Sequence, residues 1–261
     1  MPMTNKGAKA PANGLIENIK TLLYAGLIAI LVRTIAFEPF NIPSGSMIPT
    51  LLIGDYVFVS KYSYGYSKFS APFSLPLFSG RIFGSVPKRG DVAVFRETRD
   101  TSIDYVKRVI GLPGDKIQVK DGLLYVNGTL AARDTVGDYL SDNESGSRIM
   151  AKEYIEHLPG GPENHILKFT DSSNFDPASD VDPNNTPEYV VPADHLFMMG
   201  DNRDNSLDSR FMATGLGFVP MENLVGRAQF VFFSIDGQEP WWEFWYWPFE
   251  IRWTRLLHVV H

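Results

Sequence analysis

Residues 105–128 read YVKRVIGLPGDKIQVKDGLLYVNG, and this stretch decides the fold class. Tyr105 to Ile110 is a short run rich in β-branched residues. Lys116 to Lys120 and Leu123 to Val126 are two more runs, followed by Asp121-Gly122 and Asn127-Gly128. Asp-Gly and Asn-Gly supply the positive φ angles that tight hairpin turns require, so the spacing predicts consecutive antiparallel hairpins. Working outward, Tyr56 to Val59, Asp91 to Phe95 and Gln229 to Phe233 have the same strand-like texture. No long amphipathic helix competes with them, and the body of the chain reads as mainly β. Between Ala131 and Pro187 the composition turns to Asp, Asn, Pro and Ser, as in DSSNFDP at 171–177. That segment reads as an insertion with long loops, forming a smaller lobe.

Upstream lies one segment of another kind. Thr21 to Val32 carry no charge, and after Arg33 the apolar run resumes as far as Phe37. As a helix, Thr21 to Phe37 would rise about 26 Å, slightly less than the roughly 30 Å hydrocarbon core of a bilayer. Arg33 lies near the outer end, where it can snorkel to the headgroups. Lys6, Lys9 and Lys20 precede the span, and no Lys or Arg occurs from Glu38 to Ser60. That asymmetry places the N-terminus in the cytoplasm and the rest of the chain outside it. No small-x-small cleavage site closes the apolar run, so the segment reads as a retained anchor rather than a removed signal. The chain has 261 residues and a formal net charge of -6, without a clustered basic patch, which excludes a nucleic-acid surface. The absence of cysteine excludes disulfides, Cys-based zinc sites and a cysteine nucleophile.

Three stretches carry candidate chemistry. In FNIPSGSMIPTL, residues 40–51, prolines bracket a glycine and two hydroxyls, which would display Ser46 as a nucleophile in a defined orientation; the same composition also makes ordinary turns. Lys107 shares a strand face with Tyr105 and Val109. Buried there it would have a lowered pKa and could take the proton of a serine hydroxyl without histidine; on an edge strand it would be only an exposed charge. GDNRDNSLDSR at 200–210 directly follows the apolar Leu196 to Met199. It is either a solvated loop or a hydrogen-bonded shell in which Asp208 and Arg210 pair. Read as a calcium loop from Asp201 or Asp204, it lacks the glycine at position six and the glutamate at position twelve, so no metal is expected.

These stretches, in this order behind an N-terminal anchor, resemble the bacterial type I signal peptidases, also called leader peptidases. The resemblance covers the anchor, residues 40–59, RGDVAVF at 89–95, residues 104–115 with KRVIGLPGD at 107–115, and residues 200–210; the insertion matches in position alone. It implies a cytoplasmic N-terminus at 1–20 and a single transmembrane helix at 21–37. An antiparallel β-sheet or barrel catalytic domain would follow at 38–115 and 192–261, interrupted by a smaller β and loop lobe at 116–191. It further implies that Ser46 attacks the scissile carbonyl, that Lys107 is the general base, and that Ser44 and the Ser46 N–H form the oxyanion hole. Ser206 would hydrogen-bond Lys107, with Asp208, Arg210 and Asp201 in support. Phe40, Ile42, Pro43, Met47, Leu51, Val57, Tyr105 and Val106 would wall shallow pockets for small residues, giving an Ala-x-Ala preference. No cofactor is implied. The implied partners are secretory precursors, membrane lipid and export machinery, at the bacterial inner membrane with the catalytic domain on its outer face.

Other readings make different demands on the same residues. Ser85-Val86-Pro87-Lys88 and Ser141-Asp142-Asn143 match two motifs of penicillin-binding enzymes, but the first holds a proline where a helix should open and no Lys-Thr-Gly occurs. His157, His165 or His195 could serve a serine hydrolase, yet there is no Gly-x-Ser-x-Gly elbow. Self-cleaving repressors share a Ser-Lys dyad but carry a DNA-binding domain where this chain has an anchor. A non-catalytic, membrane-tethered β module that binds or assembles extracytoplasmic partners is the alternative outside enzymology. The five tryptophans lie at 241–253, a composition that suits the outer membrane interface, a core strand or an oligomer contact.

Overall fold

The computed structural model describes residues 14–70, 80–142, 148–169, 182–236 and 250–261. Helix α1 covers Gly14–Ile35, and its apolar side chains point outward on every side, with Leu22, Tyr24, Leu27, Ile28 and Leu31 all exposed. An apolar surface all round is what a bilayer-facing helix needs and what a water-facing one avoids. Ile16–Ile35 gives 20 residues of mean hydropathy 1.4, none of them buried. At 1.5 Å per residue these reach about 30 Å, enough for one span. The helix therefore begins earlier than Thr21, taking in Ile16 and Ile19. It also ends before Phe37, which is already a strand residue.

Only Ala36 separates α1 from β1 (Phe37–Asn41). From there the chain builds an antiparallel sheet with β2 (Asp55–Ser60), β3 (Val92–Arg96), β4 (Asp104–Gly111), β12 (His195–Met199), β13 (Val219–Pro220) and β14 (Leu224–Ser234). The order is β1-β2-β14-β3-β4-β12-β13, and β15 (His258–Val259) pairs with β14. Among the described residues the two ends of this order do not pair, so the sheet is curled and open rather than a closed barrel. Its inner face alternates as strand periodicity requires: Val57 and Val59 of β2, Val92 and Val94 of β3, and Val225, Ala228 and Val231 of β14 form one buried cluster with Ile42, Met47 and Leu51.

The predicted hairpins are present. β5 (Lys116–Lys120) pairs with β6 (Leu123–Val126) through Asp121 and Gly122, at φ 50° and 72°. β6 pairs with β7 (Thr129–Leu130) through Asn127 and Gly128, at 51° and 78°. β11 (Tyr189–Val190) completes this second sheet against β5. The polar segment that reads as loops instead contains long strands: β8 (Ala132–Asp142), β9 (Arg148–His157) and β10 (Glu163–Phe169) form a third sheet. Leu167 of β10 bridges to Asn202, so this sheet docks on the polar block at 200–210. Trp241, Trp242, Trp245 and Trp247 lie outside the described residues, as does Asn143 of the Ser-Asp-Asn match.

Candidate active site

The turn that carries Ser46 is fixed from below. Ile42, Met47 and Leu51 are buried in the main cluster, while Ser44 is exposed and Ser46 half-buried between them. Gly45 to Met47 form one 3-10 turn, closed by a bond from the Ile48 N–H to the Gly45 carbonyl. Burying three apolar side chains of one turn leaves the serine hydroxyls facing outward.

Strand β4 brings Lys107 to this turn. Its neighbours on the strand face are half-buried Tyr105 and buried Val109, and it lies opposite Ala93 of β3, whose small side chain leaves it room. Lys107 is 2% exposed, and its Nζ lies 2.5 Å from Ser46 Oγ and 3.2 Å from the Val106 carbonyl. Burial lowers its pKa from 10.5 to about 8; the charges of Asp208 and Asp201 oppose that shift, and Arg210 adds to it. A base poised near 8 has a usable neutral fraction at physiological pH, which a lysine in water lacks.

The polar block at 200–210 closes over the other side. Arg210 Nε and Nη2 donate to the two oxygens of Asp208 at 2.8 and 2.9 Å, and the Gly200 N–H and Ser206 Oγ donate to Oδ2 at 3.1 and 2.9 Å. Burial pushes the Asp208 carboxyl up, but these donors outweigh it and hold it below the usual carboxylate range. Ser206 thus bonds Asp208, not Lys107 as the resemblance implies: among the described residues the hydrogen-bond partners of Lys107 Nζ are Ser46 and Val106. Asp201 accepts from Arg108 Nε and Nη2 at 2.8 and 2.7 Å and from Thr50 Oγ1 at 2.5 Å, so it fastens the block both to the residue next to Lys107 and to the end of the nucleophile stretch.

Ser44 Oγ lies 3.5 Å from Ser46 Oγ at the mouth of a cleft of about 240 Å³. Phe40, Ile42, Pro43, Met47, Tyr105 and Val106 line it, as the sequence reading expects, together with Asn41, Ile103 and Asp104, which that reading omits. Leu51 and Val57 do not line it. Both are completely buried in the core beneath, because the strand alternation turns Val57 inward and Leu51 anchors the turn.

Asn202 is a further residue to which the sequence reading gives no role. Its N–H donates to the Ser46 carbonyl at 3.1 Å and its Nδ2 to the Gly45 carbonyl at 3.0 Å. Farther out, buried Glu156 of β9 pairs with Arg203 and Arg133, tying the inserted sheet to the same block. None of the histidines named above reaches Ser46: His157 faces Asp134 and Glu163, His165 faces Glu153, and His195 faces the Ala193 carbonyl. Ser85 donates to the Ser63 carbonyl from a segment that is not helical. Among the described residues no group of three or more His, Cys, Asp or Glu is placed to hold a metal ion.

The chain is similar to known proteins over most of its length. A family model described as signal peptidase, peptidase S26, matches residues 15–233. A signal peptidase I of Rickettsia canadensis is 44% identical over 226 residues, covering 86% of this chain and 81% of that protein. One of Rickettsia conorii is 45% identical over 246 residues, covering 92% and 84%. Among solved structures, a signal peptidase I from Enterococcus faecalis V583 is 25% identical, covers 54% of this chain and 95% of its own, and superposes with a TM-score of 0.30.

Proposed function

The chain belongs to the signal peptidase family of S26 peptidases, which are hydrolases, and from that premise we propose that it removes N-terminal signal peptides from secreted precursors, cutting after an Ala-x-Ala-like motif with Ser46 as nucleophile and neutral Lys107 as general base. The observation that carries this reading is the 2.5 Å approach of a buried lysine, its pKa lowered to about 8, to a serine hydroxyl at the mouth of a cleft.

In the acylation step Lys107 Nζ takes the Ser46 hydroxyl proton as Oγ attacks the scissile carbonyl carbon. The carbonyl electrons move onto oxygen, where the Ser44 hydroxyl and the Ser46 N–H receive the charge. On collapse the C–N bond breaks and the Lys107 ammonium protonates the leaving amine. The signal peptide remains esterified to Ser46, and Lys107, neutral again, deprotonates the water that releases it. Asp208, held by Arg210, limits how far burial lowers the Lys107 pKa, while Asp201 ties β4 and Asn202 ties the nucleophile turn to the same polar block.

Substrate enters between two strands. Among the described residues β12 pairs with β4 from Arg108 onward, which leaves Asp104 to Lys107 without a strand partner on that side, and β1 has a strand partner only in β2. An extended peptide laid between these edges would bond to both and turn alternate side chains into the cleft. Walls built from Ile42, Met47 and Val106 leave room there for alanine and exclude branched residues.

The apolar helix makes this a membrane-anchored protein. We place its N-terminus in the cytoplasm and its catalytic domain, 38–115 and 192–261, on the outer face of the bacterial inner membrane. The segment 116–191 is the inserted lobe, and lipid and export machinery are the neighbours. Mass analysis of the products of a secretory precursor tests the reading: a single cut behind a small-x-small motif, lost in Ser46→Ala, supports it. Uncut precursor with every form of the protein favours the binding module.

A further inference from the structure

The junction between anchor and catalytic domain has more ties than a simple tether needs. The last carbonyls of a helix lack intrahelical partners, and here the domain supplies donors for two: the Tyr66 phenol to Ile35 at 2.8 Å and the Lys61 N–H to Ala36 at 3.0 Å. The ring of Phe37 packs edge-on against Tyr62 and Phe58, with centroids 5.6 and 6.2 Å apart. Across the junction, Arg33 in the last turn of α1 donates to Glu38 Oε1 through Nε at 2.9 Å and Nη2 at 2.6 Å. The other oxygen of Glu38 holds the Lys61 ammonium at 2.8 Å; Lys61 is buried and also donates to the Ser70 carbonyl.

These ties give the anchor a direction relative to the site. β1 runs without interruption from Phe37 to Phe40 and Asn41 at the cleft, about 13 Å at the usual strand rise. A helix in a bilayer chooses its tilt from its own packing and its interfacial anchors, and a cleft rigidly joined to it would follow that tilt. We propose that Arg33 and Glu38 are a positioning pair that locks the angle between anchor and β1, holding the cleft at a fixed height above the bilayer. There it meets the cut site of a precursor that the membrane holds by its own apolar signal. The proposal rests on the peptidase reading above. Lys61 fixes Glu38 in place from the domain side, so removing Arg33 breaks the link and still leaves Lys61 with its partner. A pair with this role matters for a substrate positioned by the membrane and is silent for one that diffuses freely.

The test uses the full chain in lipid vesicles, offered a vesicle-inserted precursor or a short soluble peptide spanning the same cut site. The variants are Arg33→Ala, Glu38→Gln, the two combined, and Arg33→Lys. On the precursor, kcat/KM should fall roughly two- to fivefold in each single variant, the scale of one ion pair at a largely exposed site. The double variant should be no worse than the weaker single, and Arg33→Lys should recover most of the loss. On the peptide all forms should stay close to wild type. Equal losses on both substrates, additive losses, no loss at all, or a loss in Arg33→Ala with Glu38→Gln unaffected, as for an arginine that merely rests in the headgroups, would each overturn the pair. A wild-type protein that cuts neither substrate would overturn instead the peptidase reading beneath it.

Discussion

The Asn202 backbone N–H donates to the Ser46 carbonyl at 3.1 Å, which fastens the polar block to the residue that carries the attacking hydroxyl. Its side chain repeats the grip on Gly45. The nucleophile turn is therefore set from two sides, by apolar side chains below and by a hydrogen-bonded loop above, and placing a nucleophile within a few tenths of an ångström is what catalysis by proximity demands.

Gly200 makes that closure possible. A Cβ there would stand 2.3 Å from Ser206 Oγ and 2.5 Å from the Ser46 carbonyl oxygen. Gly200→Ala must push the loop away from the turn, so kcat should fall by about a hundredfold, with a smaller effect on KM. Steady-state kinetics on a peptide substrate measure the split.

Ser44→Ala removes one donor from the place where oxyanion charge would develop. Such a donor contributes about 3 kcal/mol to the transition state, so kcat should fall on the order of a hundredfold while KM and the unfolding midpoint hold steady. Retention of full kcat would move the oxyanion hole elsewhere.

Asp208 raises the Lys107 pKa and Arg210 lowers it. Asp208→Asn removes the first influence and leaves the second, so the alkaline rise in kcat/KM, expected near pH 8 in the wild type, should move to lower pH. Looser geometry should also cost tenfold or more in rate. A pH–rate profile of the purified variant checks the direction, and a shift to higher pH would refute the assignment.

The buried ammonium also burdens the fold. A folded-state pKa of about 8 against 10.5 means the unfolded chain binds the extra proton between these values, so stability rises with pH across that window. The burden is fully present below pH 8, where it amounts to about 3 kcal/mol. Lys107→Met should thus be more stable than wild type at pH 7 by roughly 1–3 kcal/mol, with the gap closing above pH 10. Urea unfolding in detergent at the two pH values measures it.

Much of this arrangement is legible in the sequence because it is local. The Asp-Gly and Asn-Gly turns, the lysine between Tyr105 and Val109, and the Asp208–Arg210 pair each depend on neighbours a few residues away. What is not legible depends on long-range packing. Leu51 and Val57 have the composition of pocket walls, and only the curl of the sheet shows that they lie beneath the cleft rather than beside it. Ser206 has a carboxylate two residues on, and that short contact prevails over the lysine. Asn202 and Thr50 stand inside stretches already singled out, but their partners come from the opposite stretch. Strand β8 of the inserted sheet is polar and largely exposed, so hydrophobic alternation gives little sign of it.

The central claim is that Lys107 activates Ser46. It is tested most directly by the rate at which Lys107→Met, shown folded by its unfolding transition, cuts a secretory precursor beside the wild type at pH 8. The account predicts a loss of at least about a thousandfold, comparable to that of Ser46→Ala. Precursor cut by folded Lys107→Met at the wild-type rate would contradict it.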